Sequence, residues 1–349
     1  MESNQFTGDN GNGEIFSHCY AQLMHQQTML EDKVRVQAYH EAITRNPKDF
    51  KDKVVMDVGA GCGILSFFSC QAGAKRVYAV EMSKIAQNAK KLIEGNGLSD
   101  FCEVIKGRVE DIDLPEKVDI LVSEPIGFLL VHERMLESYI IARDRHLAPG
   151  GAMFPQSASI VVAPFSDICL HDEQKAKASF WSTENFYGYN VSSLKDESSR
   201  QYFSQVIIDC FDSSILISDD RSTFDFDFKT ITTEKLKRFE IPLKFEITKT
   251  SLLTGLACWF TIDLSGSEAK VILSTAPECP RTHWHQTRLL LEHPLAVNRG
   301  QSLSGSLKFQ ANAHSSYNIV MQLKLDGTNN PIIITENKNI ALHQQVWQY

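Results

Sequence analysis

The sequence predicts an α/β chain in two parts: a parallel sheet covered by helices, then a mostly antiparallel β half. Three observations carry that prediction. Short apolar runs alternate with helical stretches from about residue 54 to residue 147, the pattern of repeated βαβ units. A glycine-rich turn joins the first apolar run to the helix after it. Beyond about residue 155 the texture changes to period-two alternation broken by turn residues.

The elements follow in order. Residues 1–13 are polar and rich in Gly and Asn, and read as a disordered lead-in with no signal-peptide character. Residues 14–46 read as N-terminal helices, because Leu23, Gln27, Leu30, Val34 and Tyr39 recur near the helical period and Pro47 closes the segment. Residues 47–154 read as a Rossmann-like domain. Its strands are Val54–Val58, Arg76–Glu81, Cys102–Lys106 and Val118–Ser123. Its helices run from Ile64 to about Gly73, from Lys84 to Glu94 and from Glu133 to Leu147, the last ended by Pro149-Gly150-Gly151. Residues 155–349 read as an antiparallel sandwich or barrel, from runs such as Thr223–Phe228, Phe239–Ile247, Val271–Ser274 and Tyr317–Leu323. An aromatic segment, Phe180-Trp181 to Tyr189, interrupts it without clear period, and reads either as core filler or as an exposed projection for a partner.

Bulk properties narrow the class. The chain has 349 residues, of which 43% are hydrophobic and 22% charged, a globular mix too long for one ordinary core. No apolar run is long enough for a membrane-spanning helix. Eight cysteines lie scattered with no CxxC pair and no metal-ligand spacing, so reduced thiols and no metal are expected. The formal net charge of −8 argues against nucleic acid as the main ligand and for a basic partner.

The turn Asp57-Val-Gly-Ala-Gly-Cys-Gly63 has GxGxG spacing, not the GxGxxG of a dinucleotide site. Gly59 and Gly61 let the backbone pass close to a ligand. Asp57 makes a phosphate unwelcome and suits a zwitterionic end such as that of S-adenosylmethionine (SAM). Glu81 ends the second strand, where it can accept both ribose hydroxyls. These features point to a class I SAM-dependent methyltransferase, with a dehydrogenase as the competing reading. Glu110 can accept from an adenine amino group, and reads equally as a surface acid. Arg35 can pair with the methionine carboxylate, or simply with Glu31 and Asp32 at the surface.

Glu124 ends the fourth strand, where ligands bind in an open α/β sheet. Pro125 and Gly127 turn the chain so that Glu133 can return beside it. Two adjacent carboxylates repel unless a cation or proton lies between them, and a guanidinium matches such a pair bidentately. Glu133 or His283 would take the proton lost on methylation. The bland alternative is a strand-end acid and a helix-start acid with no shared role.

With these residues placed, the chain resembles the protein arginine methyltransferase family, and looks most like its coactivator-associated (type 4) branch. The resemblance rests on Val55 to Ser66, Val77 to Glu81, the double-glutamate loop from Ser123 to Ser138, Pro149 to Pro155, and Leu273-Ser-Thr-Ala-Pro with Thr282-His-Trp284. It implies a SAM-binding domain followed by a β-barrel domain, with a helical dimerisation arm at about residues 168–195 and a head-to-tail homodimer. It implies SAM contacts from Gln26, Arg35, Gly59, Glu81, Glu110 and Ser138, a substrate arginine held by Glu124 and Glu133, and His283 close by with Asp32. Tyr20 matches the second tyrosine of the family's YFxxY helix, and Met29 and Trp284 match the enzymes that make asymmetric dimethylarginine. Three positions depart from the family: Phe16 for the first tyrosine, Ile126-Gly-Phe128 for Met-Gly-Tyr, and His132 for asparagine.

The reading reached is a protein arginine N-methyltransferase of the nucleus and cytoplasm that makes mono- and then asymmetric dimethylarginine in histones and other basic proteins. Methylation of a nucleic acid or small molecule, and a catalytically silent scaffold, are the alternatives. The first requires a basic or base-stacking site by the fourth strand; the second requires loss of a glutamate or of the glycine turn, and neither is lost.

Overall fold

The structure, a computed structural model, describes residues 20–326 and 331–340. The expected lead-in over residues 1–13, and Phe16, lie outside the described residues. The chain opens with two helices, α1 (Leu23–Glu31) and α2 (Lys33–Thr44), broken at Asp32. Asp32 caps α2 by accepting a hydrogen bond from the Arg35 N–H at 3.0 Å. A short helix, α3 (Pro47–Phe50), leads into the first sheet.

That sheet contains β1 (Val54–Val58), β2 (Arg76–Glu81), β3 (Cys102–Lys106), β4 (Val118–Ser123) and β5 (Leu147–Phe154), all parallel, in the order β3-β2-β1-β4-β5. Helices α4 (Ile64–Gln71), α5 (Ala86–Gly95) and α6 (Met135–His146) connect the strands. All five residues of β1 and most of β2 and β4 are buried, as a sheet covered on both faces requires. The strand order reverses direction between β1 and β4. The crevice at their carboxyl ends is therefore the topological switch point, where open α/β sheets bind ligands. Gly59 follows β1 and Glu124 follows β4, so both candidate motifs open into it.

Two sequence expectations change here. Leu147 to Phe154 form a strand, although Pro149-Gly150-Gly151 reads as a helix stop; β5 lies at the sheet edge, where proline and glycine are tolerated. Glu133 does not begin a regular helix. It sits in a short 3-10 turn, His132–Arg134, with φ of +71°, and Arg134 follows at +58°; α6 starts only at Met135.

The second half forms two antiparallel sheets. One contains β6 (Ser157–Phe165), β7 (Ile207–Asp209), β8 (Ser222–Asp227), β10 (Ser251–Asp263), β11 (Ile272–Ser274) and β12 (Gln286–Val297), in the order β7-β12-β10-β6-β8 with β11 beside β10. The other contains β9 (Arg238–Glu246), β13 (Ser302–Ala311), β14 (Tyr317–Leu325) and β15 (Ile332–Asn339), in the order β15-β14-β13-β9. The edges β8 and β9 adjoin, and Phe224, Phe226, Phe239, Phe309 and Tyr317 pack between the sheets with neighbouring ring centroids 4.5–6.2 Å apart. The period-two runs read from sequence are these strands, and β9 alternates buried and exposed along its whole length.

A helical excursion leaves the first of these sheets. It comprises α7 (Ile168–Ala178), irregular 3-10 turns, and α8 (Lys195–Ser204); a helix α9 (Thr233–Lys237) later precedes β9. At its tip Phe180, Phe186, Tyr187 and Tyr189 are exposed, with Tyr187 at 90%, so the aromatic segment is a projection and not core filler. Among the described residues no helix is long and apolar enough to cross a membrane.

Candidate active site

The glycine turn forms one wall of the switch-point crevice. Gly59, Gly61 and Gly63 all take left-handed φ (+71°, +56° and +92°). A methyl group on Gly59 would stand 2.2 Å from Met135 Cε, and one on Gly61 would stand 2.8 Å from Gln26 Oε1, so the backbone there is open to a ligand only because these are glycines. Glu81 buttresses the turn: its carboxylate accepts from the Gly61 N–H at 2.9 Å and the Ser83 N–H at 2.7 Å. Each oxygen keeps a further lone pair, so both can still accept from a diol. Gln26 ties the N-terminal segment to the same turn, accepting from the Cys62 N–H at 3.2 Å and donating to the Tyr20 carbonyl at 2.9 Å.

Asp57 sits beneath this wall, 1% exposed. Burial drives its carboxyl up to about 7, against the lowering effect of the Ser66 hydroxyl, which donates to Oδ2 at 2.7 Å. Oδ1 is buried without a partner among the described residues. A buried acceptor of this kind matches the ammonium end of a zwitterion better than a phosphate. Farther along, Ser138 Oγ donates to Glu110 Oε1 at 2.5 Å, so Glu110, expected at the adenine, and Ser138, expected to touch the same ligand, are neighbours on the cavity wall.

The acidic half faces the glycine turn. Arg35 Nε donates to Glu124 Oε2 at 3.1 Å, while Nη1 donates to the Met29 carbonyl at 2.7 Å. The sequence reading offered Arg35 either the ligand carboxylate or a surface pairing with Glu31 and Asp32; the carboxylate it meets is Glu124, and it is buried. Both side chains are about nine-tenths buried, so the chain itself supplies a cation to one of its two acids. Nη2 has no partner among the described residues and is left to meet a carboxylate. Glu124 is anchored further by the Ile126 N–H, which donates to Oε1 at 3.1 Å. Burial still holds its carboxyl above the ordinary range, opposed by Arg35 and His283.

The Tyr20 hydroxyl lies 2.9 and 2.7 Å from the two Glu133 carboxylate oxygens and donates its one proton between them. Burial pushes its carboxyl up to about 7; the Tyr20 hydrogen bond works against the rise and the nearby Glu124 charge adds to it. The two acids therefore feel each other, and Glu133, unlike Glu124, has no guanidinium partner among the described residues.

Outside the acids stands the Thr282-His283-Trp284 turn. Asp32 Oδ2 accepts from the His283 backbone N–H at 2.9 Å and from its Nδ1 at 2.7 Å. Burial alone would raise the Asp32 carboxyl, but the hydrogen bonds from His283 and Arg35 hold it down at about 2. Trp284 Nε1 donates to the Ile126 carbonyl at 3.0 Å. Neither His283 nor Trp284 is among the residues that line the cavity. Trp284 is 2% exposed and acts from behind the wall, which departs from its expected place in the substrate pocket.

The remaining expected site residues all line one cavity of about 430 Å³: Tyr20, Gln26, Met29, Arg35, Gly59, Gly61, Glu81, Glu110, Glu124, Glu133 and Ser138. That volume is ordinary for a small-molecule site. Residues the sequence reading missed include Ser83 and Met135, local to motifs already found, and Ser315, which comes from the β13–β14 turn and carries no sequence signal. Among the described residues no group of three or more His, Cys, Asp or Glu is placed to hold a metal ion.

A glycine cradle, a diol-accepting glutamate, an orphaned buried carboxylate and a guanidinium at one end fit S-adenosylmethionine, and together they define a class I methyltransferase site. A family model described as the arginine methyltransferase oligomerization subdomain matches residues 156–329, and one described as ribosomal protein L11 methyltransferase (PrmA) matches residues 21–138. The chain is 48% identical over 312 residues to a protein named probable histone-arginine methyltransferase CARM1 from Oryza sativa subsp. indica, covering 89% of this chain and 59% of that protein. It thus spans less than two thirds of the length of that curated relative. Its fold superimposes on Arabidopsis thaliana protein arginine methyltransferase 10 with a TM-score of 0.85 at 30% identity, covering 93% of this chain and 100% of that one. It also superimposes on a chain of the Trypanosoma brucei PRMT1 enzyme-prozyme heterotetrameric complex with AdoHcy, with a TM-score of 0.83 at 31% identity, covering 92% of this chain and 99% of that one. The chain belongs to the protein arginine methyltransferase family.

Proposed function

We propose that this chain is a protein arginine N-methyltransferase that uses S-adenosylmethionine and yields mono- and then asymmetric dimethylarginine. The observation that carries the reading is the pair Glu124 and Glu133, facing the glycine turn across one cavity. Bound there, S-adenosylmethionine supplies an electrophilic methyl group. Gly59 and Gly61 admit the donor, Glu81 holds its ribose, Glu110 and Ser138 meet its adenine, and Gln26 and Arg35 close over its amino acid end. Glu133, lacking an internal cation, and Glu124, only partly neutralised by Arg35, grip a guanidinium and leave one nitrogen turned toward the donor. Tyr20 holds Glu133 in place. Loss of one N–H proton must accompany N–C bond formation, and a carboxylate raised to about 7 is suited to take it. His283, bound to Asp32 outside the cavity wall, then serves as a positioning residue rather than the first acceptor.

The substrates are arginine-bearing basic proteins, histones among them, as the name of the rice relative and the −8 charge of this chain both favour. The product class is a reading supported by Met29 in the cavity wall and by the likeness of Met29 and Trp284 to enzymes that make asymmetric dimethylarginine. The working form is a homodimer joined through the exposed aromatic projection, a reading favoured by the match to an oligomerization subdomain. Its places of action are the nucleus and the cytoplasm.

The test incubates the protein with methyl-labelled S-adenosylmethionine and a panel of histones, other basic proteins and RNA, followed by hydrolysis to monomers. Label is expected in monomethyl- and asymmetric dimethylarginine, and Glu124→Gln is expected to lower turnover by at least about a thousandfold. Label in nucleotides, or turnover that survives Glu124→Gln, refutes the reading.

A further inference from the structure

Outside the methyl-transfer cavity, β7 ends beside the start of β12, where Gln286 pairs with Asp209. Continuing that register by one residue sets Cys210 opposite His285. Their side chains meet: Cys210 Sγ lies 3.1 Å from His285 Nδ1. Both are half-buried, and His285 holds a left-handed φ of +49°, so the loop fixes the imidazole against the sulfur. A second cavity, about 340 Å³, opens at Cys210. Arg288 lines it at 4% exposure, with its Nε buried and without a partner among the described residues. Four carboxylates also line it: Asp167, which takes Arg288 Nη1 at 3.0 Å, and Glu173, Asp209 and Asp212.

We propose that Cys210 and His285 form a site of covalent modification by uncharged carbon electrophiles, and that the adduct disturbs the loop holding the substrate acids. With Nδ1 unprotonated, the imidazole accepts the S–H proton and leaves the sulfur as the nucleophile that alkylation needs. Arg288, paired with Asp167 at 3.0 Å and 3.7 Å from Asp209, offsets part of the carboxylate charge around the sulfur, so activation rests on His285, while the carboxylates repel anionic reagents such as oxidised glutathione. Transmission is short. His285 follows Trp284, whose Nε1 holds the Ile126 carbonyl, and Trp284 follows His283, which holds Asp32. A group added to Cys210 displaces His285 and pulls on both contacts. This second half rests on the methyl-transfer reading; the first does not.

The probe is iodoacetamide in limiting amount on the intact protein, with adducts mapped by peptide mass spectrometry. Sulfur displaces iodide from the methylene carbon, a C–S bond forms as the C–I bond breaks, and the thiol proton passes to His285 and then to water. Cys169 lines the same cavity and is exposed, so it serves as an internal standard. Cys210 is expected to label at least about tenfold faster than Cys169, and His285→Gln to bring the two rates within about threefold. Equal rates in the unmutated protein, or a Cys210 rate unmoved by His285→Gln, overturn the proposal. Protein labelled at Cys210 is expected to methylate a peptide at least about tenfold more slowly, while Cys210→Ser treated in parallel keeps its rate; undiminished turnover in the labelled protein overturns the link to the loop. If untreated protein transfers no methyl group at all, it is the reading of the main site that fails, and the labelling ratio still decides this one.

Discussion

Glu133 carries a testable conflict between folding and function. Its carboxyl is raised from an ordinary 4.5 to about 7, chiefly by burial. A raised acid favours the fold in its protonated form, so its contribution is fullest below pH 4.5 and is lost as the pH climbs to 7. At 1.36 kcal/mol per tenfold change in proton affinity, the ionised folded state at pH 8 is about 3 kcal/mol less stable than one with a neutral isostere. Glu133→Gln removes the charge, keeps the shape, and leaves an amide oxygen for the Tyr20 hydroxyl. The variant is therefore expected to be more stable by about 3 kcal/mol at pH 8 but by only about 1 kcal/mol at pH 5. Urea denaturation at the two pH values measures both, and the same preparations are assayed for peptide methylation, which the variant should lose. A gain that is the same at pH 5 and pH 8, or a loss at pH 8, refutes the argument that burial of an unpaired charge is what the site sustains.

Three further outcomes follow from the geometry. A methyl group on Gly127 would stand 2.0 Å from the His132 carbonyl oxygen, so Gly127→Ala should lower peptide turnover at least about a hundredfold while calorimetry finds product-nucleoside binding little changed; equal losses in both would place the damage elsewhere. Deleting residues 178–190 removes the exposed aromatic tip and should give monomers of reduced activity by sedimentation, and an unchanged oligomer counts against the arm. Met29 lines the cavity, so Met29→Phe should shift the ratio of mono- to dimethylarginine measured by mass spectrometry, and a constant ratio removes Met29 from the product-setting wall.

What the sequence revealed depended on how local each feature is. The four strands from Val54 to Ser123 and the glycine turn are set by apolar runs and by residues within a few positions, and they stand where the periodicity puts them. The strand β5 was hidden because its Pro-Gly-Gly run satisfies a helix-stop pattern, and only its place at the sheet edge makes a strand acceptable. Glu133 looked like a helix start because nothing in Glu-Arg-Met announces two left-handed residues in succession. The pair Arg35 and Glu124 spans 89 positions, and the tie from His132 Nδ1 to Ser316 Oγ at 2.9 Å spans 184. Contacts of that range are products of topology, and one sequence carries no periodic trace of them. The departures at Phe128 and His132 make sense only in the structure, where their rings stack with centroids 6.2 Å apart.

Those long-range ties bear on why an α/β domain that holds the whole glycine turn and both acids carries a second half at all. Among the described residues lining the main cavity only Ser315 lies beyond residue 155, so the described β half adds little to the wall. Yet the double-glutamate loop holds Leu129, Leu130, Glu133 and Arg134 in left-handed backbone, a conformation that disfavours each by roughly 1–2 kcal/mol. Something must over-determine such a loop for it to persist. The β half does so from three directions. Trp284 holds the Ile126 carbonyl, Ser316 holds His132 while donating to the Ile340 carbonyl, and the Asn312 carbonyl takes Arg134 Nη1 at 3.1 Å. Within the loop's own half, Arg134 also grips Glu137 through two hydrogen bonds. Under the proposed function the acids must face each other to hold a guanidinium, and left to themselves they would part, since burial and mutual repulsion both oppose that arrangement. The antiparallel half is best understood as the brace that keeps them there, which makes the geometry of the clamp a property of the whole chain and not of the loop that carries it.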